Sequence, residues 1–213
     1  MTKLNVGDIE HPDLDREPPV GGYPQGDDDA RVVVEILKPL VDAGKSVLLM
    51  AHSAGGFVAT EAALSELQLK VRAAKGLSGG IIGIFFMGAF VIPIGESKHG
   101  YAGLGSIVEA KKYLFNDLGS DEANKWEAKL VPSTGLLTAK LTNNAYSALP
   151  CAYLMLDGDL TLPKDYQESM VALQASKTGE FTMYHSPAGH SPHLSWTEGV
   201  ADTAMDFVRK IHA

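Results

Sequence analysis

Hydrophobic positions along the chain follow two periods, and the two alternate. Val33, Ile36, Leu37, Leu40 and Val41 recur at the spacing of one helix face. Asp27, Asp28 or Asp29 can cap the first turn of that helix, and Gly44 is placed to end it. Residues 46–51 (SVLLMA), 81–87 (IIGIFFM) and 152–156 (AYLML) are short unbroken apolar runs, with a weaker fourth at 181–184. Runs of this length suit strands buried on both faces. Helical patterns cover about 55–67, 164–175 and 197–211. Strands alternating with helices predict an α/β fold, a parallel sheet with helices on both faces. The stretch 95–150 interrupts the alternation, with helix-like pieces near 107–118 and 122–130. It is expected to form a helical lid at the carboxyl edge of the sheet, residues 1–94 and 151–213 forming the core. The first 30 residues, rich in proline and glycine, predict an irregular surface segment with one short strand near 4–6.

Composition narrows the partners. The 213 residues fit one domain or one domain with a sizeable insertion, and 45% hydrophobic with 21% charged residues is the balance of a soluble globular chain. The net charge of −8 argues against binding nucleic acid, which needs clustered Lys and Arg. Most of that charge lies in the first 30 residues, where eight acidic residues face only Lys3 and Arg16. One cysteine, Cys151, allows no internal disulfide and cannot build a cysteine metal site alone. No run approaches the ~20 apolar residues that span a bilayer, and the polar N-terminus does not resemble a signal peptide. A cytoplasmic protein without membrane association is expected.

The segment VLLMAHSAGG (47–56) carries the most chemistry. Ser53 stands between a predicted strand and a predicted helix, with Ala51 two before it and Gly55 two after. That is the G-x-S-x-G nucleophile elbow with alanine in the first slot. The flanking positions are expected to be small because strand and helix pass closely there. A serine hydroxyl needs a base, and the base an orienting group. The loop after the third strand offers Asp157 and Asp159; the loop after the fourth offers His185, His190 and His193. Asp157, in an Asp-Gly pair, suits a turn former. His52 faces the Ser53 turn and is a candidate pocket residue.

With VLLMAHSAGG, the blocks FNDLGSDEANKWEAKL (115–130), LPCAYLMLDGDLTLPKDYQESMV (149–171) and AGHSPHLS (188–195) resemble the α/β-hydrolase superfamily. The similarity is to its small fungal and bacterial serine hydrolases, near plant methyl esterases and hydroxynitrile lyases, and covers most of the chain from about residue 26. It implies Ser53 as nucleophile, Asp159 as acid, His190 as general base and the Ala54 N–H as an oxyanion donor. It also implies an apolar roof over the substrate from lid residues such as Phe115, Trp126 and Leu136. No cofactor and no metal are implied.

Two departures matter. The first elbow glycine is Ala51. In addition, the strands that lead into such folds, and the His-Gly loop that supplies a second oxyanion N–H, have no counterpart in the sequence, so an N-terminally shortened sheet is expected. Loss of one oxyanion donor costs roughly 3–4 kcal/mol of transition-state stabilisation. The expected function is hydrolysis of a small, mostly apolar ester or lactone. The alternatives are a lyase or cyclase using His190 as base, or a non-catalytic small-molecule sensor. An uncovered strand edge also predicts a homodimer.

Overall fold

The computed structural model describes residues 20, 26–96, 107, 109–131 and 139–212. The expected strand at 4–6 lies outside them. Four strands form one sheet in the spatial order β1 (Ser46–His52), β2 (Gly80–Met87), β3 (Cys151–Leu156), β4 (Thr182–Ser186). Every neighbouring pair is parallel, with Ser46 opposite Gly80, Ile84 opposite Cys151 and Ala152 opposite Thr182. Parallel strands bring all their carboxyl ends to one edge of the sheet, where the loops bearing Ser53, Asp159 and His190 gather.

β2 and β3 are buried along their whole length, which is why their sequences are unbroken apolar runs. Their side chains still alternate between faces. Ile84, Phe86, Tyr153 and Met155 pack with α1 (Gly26–Asp42), α2 (Gly55–Ala62) and α6 (Lys164–Thr178). Phe85, Met87, Ala152 and Leu154 pack on the other face against Val200, Ala204 and Phe207 of α8 (Thr197–His212). The predicted α/β arrangement, with a reduced number of strands among the described residues, is thus the observed one. No helix among the described residues is long and apolar enough to cross a membrane.

Several local expectations are corrected. α1 starts at Gly26, so Asp27, Asp28 and Asp29 lie inside its first turn, favourable there to the helix dipole, rather than capping it. Its buried stripe is Ala30, Val34, Leu37 and Val41, whereas Ile36 and Leu40 are 45% and 41% exposed. The sequence VVVEILKPLV supports two apolar stripes, and the sheet takes the other one. The helix expected over 55–67 ends at Ala62, where the buried Gln68 side chain donates to the Ala63 carbonyl and the chain turns into α3 (Leu69–Ala73). Arg72 of α3 is buried and donates to the carbonyls of Val41, Ser78 and Gly79, tying the end of α1 to the start of β2.

The expected lid helices are shorter than their sequence patterns, α4 being Ala110–Tyr113 and α5 Ser120–Glu127. A left-handed Glu109 and an extended Gly119 bound them at their N-terminal ends. Ala110, Phe115 and Ala123 form a small core of their own with Leu114, Leu118 and Trp126. Leu194 of α7 (Pro192–Ser195) packs against that core.

Candidate active site

Ser53 leaves β1 with φ of 52°, the left-handed region that a non-glycine residue enters at a cost of about 1 kcal/mol or more. Two bonds to its carbonyl hold it there, from the N–H of Gly56 at 3.1 Å and of Phe90 at 3.0 Å. Phe90 belongs to the loop after β2, so the turn is braced by a neighbouring strand. The demand for a small residue falls one position later than expected. A Cβ on Gly55 would meet open space, whereas one on Gly56 would collide with the Phe90 carbonyl. Ala51, in the first slot, is 2% exposed within the core. The Ala54 N–H opens α2 and has no protein acceptor among the described residues.

Asp159 follows β3 with its side chain fully buried. Its Oδ1 accepts the backbone N–H groups of Thr161 at 2.8 Å and Leu162 at 2.9 Å. Its Oδ2 lies 2.8 Å from His190 Nδ1, and His190 Nε2 lies 3.1 Å from Ser53 Oγ. In this network Nδ1–H donates to the carboxylate, leaving Nε2 free to accept the serine proton. The two loops are also joined through their backbones. Asp157 N–H donates to Ser186 O and Gly158 N–H to Ala188 O, and Gly158 has no room for a Cβ, which would lie 2.8 Å from the Pro187 carbonyl.

Asp157, two residues from the buried acid, points to the surface and pairs with Lys164 at 2.8 Å and His185 at 3.3 Å. Only topology separates these two carboxylates. His52 packs its ring 4.8 Å from that of His190 and 5.0 Å from that of His193. Its Nε2–H donates to the His190 carbonyl at 2.6 Å. Burial, then the neighbouring His190 and His193, pushes its pKa down to about 3, so the ring is neutral at ordinary pH. His52 therefore touches the backbone of His190 as well as lying next to Ser53 in the chain.

Phe115 is buried in the α4–α5 core and also lines a cleft of about 600 Å³ between those helices and Leu160. Trp126 is half-buried, donates from Nε1 to Glu122 at 2.7 Å, and has the Lys129 ammonium 4.7 Å above its ring. Leu136 lies outside the described residues. Among the described residues no group of three or more His, Cys, Asp or Glu side chains is placed to hold a metal ion.

Sequence reasoning missed several polar residues that shape the site. Gln167 is fully buried, accepts the Leu156 N–H, and donates to the carbonyls of Leu156 and Leu162, bracing both ends of the acid loop. Its signal was available, since Gln167 shares the buried stripe of α6 with Val171 and Gln174. Tyr153 donates to the Ala89 carbonyl at 2.9 Å beneath the Ser53 turn's brace. Asn116 and Asp117 bond to the loops carrying Asp159 and His190; nothing periodic marks them.

The chain resembles known proteins over nearly its whole length. The alpha/beta hydrolase nvfD of Aspergillus novofumigatus is 26% identical over 215 residues, covering 88% of this chain and 78% of its own. Among solved structures, an extracellular alpha/beta-hydrolase from a Paenibacillus species superposes with a TM-score of 0.65 at 18% identity, over 86% of this chain and 79% of that one. Polyneuridine aldehyde esterase superposes with a TM-score of 0.63 at 16% identity, over 86% and 80%. These two likenesses are of fold. Residues 5–203 match the alpha/beta hydrolase family, and with a parallel sheet that presents a buried His–Asp pair at its carboxyl edge, the chain belongs to that family.

Proposed function

We propose that this protein is a serine hydrolase that cleaves a small, mostly apolar carboxylic ester or lactone. The single observation behind this is the hydrogen-bond chain from Asp159 through His190 to Ser53 Oγ, ending on a serine held in a left-handed turn. Ser53 Oγ attacks the carbonyl carbon while His190 Nε2 takes its proton, and Asp159 steadies the resulting imidazolium. The Ala54 N–H stabilises the tetrahedral oxyanion. His190 then returns the proton to the departing alkoxide, leaving an acyl group on Ser53. Water, deprotonated by His190, releases the acid and restores the serine. The α4–α5 segment serves as the lid, with Phe115, Trp126 and Leu136 as its apolar contribution. That a fold neighbour is an esterase agrees with this chemistry.

The test is intact mass spectrometry after treatment with a fluorophosphonate, on the unmodified and Ser53→Ala proteins, beside turnover of short-chain aryl esters. We expect a single adduct on the unmodified protein, none on Ser53→Ala, and a loss of turnover of about 10⁴-fold or more in that variant. Ester turnover equal in the two proteins would overturn the proposal. Turnover that survives Ser53→Ala but not His190→Ala would point instead to proton-transfer chemistry, as in a lyase.

A second copy of the chain is the proposed partner. Val32, Ile36 and Leu40 of α1 form an apolar stripe that stays 38–45% exposed, and the outer edge of β1, with Met50 47% exposed, pairs with no strand among the described residues.

A further inference from the structure

Asn116 and Asp117 lie on the turn between α4 and α5, outside the Ser53–His190–Asp159 chain. Each reaches one of the two loops that supply its members. Asp117 Oδ2 accepts the Gly189 N–H at 2.6 Å and the Ser195 hydroxyl at 2.5 Å. Gly189 immediately precedes His190 in the chain. Asn116 Nδ2 donates to the Gly158 carbonyl at 3.0 Å, and Gly158 immediately precedes Asp159. The Thr161 hydroxyl, two residues beyond the acid, donates to the Tyr113 carbonyl at 2.6 Å. The close fit also explains Gly189, where a Cβ would run into the Asn116 amide oxygen.

These contacts do more than fasten the α4–α5 segment to the sheet. The backbone leading into the base is gripped at both ends, at the Gly189 N–H by Asp117 and at the His190 carbonyl by His52. A carboxylate accepting a backbone N–H makes one of the stronger hydrogen bonds available to a loop. Only one ångström of drift in His190 would weaken its bonds to both Ser53 and Asp159, and misplacement of that size is costly to catalysis even when its cause is remote.

We propose that Asn116 and Asp117 are a positioning pair that sets the spacing of base and acid, so that docking of the α4–α5 segment and assembly of the acid–base pair are one event. The pair acts through Gly189 and Gly158. The inference rests on the hydrolase proposal only where activity is the readout.

Asp117→Ala, Asp117→Asn and Asn116→Ala test it, with three measurements on each folded protein. These are the rate of Ser53 modification by a fluorophosphonate, the solvent exchange of the His190 Nδ1–H followed by its downfield proton resonance, and the melting temperature. Asp117→Ala is expected to slow modification about tenfold and to speed exchange by a similar factor. Asp117→Asn, whose amide oxygen accepts the same two bonds, restores most of both. Asn116→Ala, which removes one solvent-accessible bond, falls between and keeps the test open if Asp117→Ala does not fold. Modification and exchange within about twofold of the unmodified protein in Asp117→Ala and Asn116→Ala would overturn the proposal. So would an Asp117→Asn protein as impaired as Asp117→Ala. If the unmodified protein forms no adduct, the hydrolase proposal fails, and the exchange measurements alone decide on the positioning pair.

Discussion

Ser53 and His52 are chain neighbours under opposite constraints. Ser53 holds a backbone conformation that costs energy, and its carbonyl is tied by two N–H groups so that its hydroxyl faces His190. His52 turns inward and is kept uncharged by burial, with His190 and His193 pressing in the same direction and its bond to the His190 carbonyl, then Asp159, opposing them. This neutrality links stability to pH. In the folded protein His52 takes up a proton only near pH 3, whereas an unfolded chain does so near 6.5. Between those values the unfolded state binds more protons, so the stabilisation present above 6.5 is lost as pH falls toward 3. His193, lowered by burial and then by His190, contributes with the same sign. Urea unfolding across that window should show stability declining by about 1 kcal/mol per pH unit. His52→Gln, which keeps an N–H donor for the His190 carbonyl, should lose the larger part of that slope. Equal slopes in the two proteins would show that His52 is not the group responsible.

Among the elements, the junction of β1 and α2 is the most sensitive to volume. Gly55 and Gly56 are adjacent in the first turn of α2, yet only Gly56 touches the loop after β2. Gly55→Ala should be neutral or stabilise by about 0.5–1 kcal/mol, as alanine does in a helix. Gly56→Ala should destabilise by about 2 kcal/mol or more, because α2 must move away from Phe90 and take the Ser53 turn with it. Thermal melts of the two variants settle the difference, and similar melting temperatures would refute the packing account. This contrast also marks how far the sequence can be read. The elbow, its strand and its helix were legible from small residues between an apolar run and a helical pattern. Which glycine meets the neighbouring strand was not, because that depends on how β2 exits the sheet. The Asp157–Gly158 pair marked Asp157 as a turn former, and the preference for Asp159 came from the resemblance; nothing else in the turn marks which of the two carboxylates is buried. α1 was placed correctly but rotated, its sequence being apolar along two stripes.

For the whole molecule, the order of apolar runs and helices was enough to foresee a parallel sheet covered on both faces. The stretch carrying α4 and α5 was expected to be an insertion; its polar attachments to the neighbouring loops were invisible, since Asn and Asp in a turn are ordinary residues until their partners are known. The edge of β1, which pairs with no strand among the described residues, and the exposed stripe of α1 bear on assembly. Light scattering across a concentration series should show a dimer that Ile36→Glu with Leu40→Glu converts to monomer, while the fold remains intact by circular dichroism. A monomer at all concentrations in the unmodified protein would refute the proposed partner. The distribution of the site along the chain has a separate consequence for biosynthesis. Ser53 and His190 are separated by 137 positions, and His190 follows the fourth strand. A chain emerging from the ribosome therefore carries Ser53 long before His190, the base proposed for it, has been added. Under the proposed mechanism the emerging chain stays inactive until His190, beyond β4, has been added, and a product cut short before His190 would carry the serine without the base proposed to activate it.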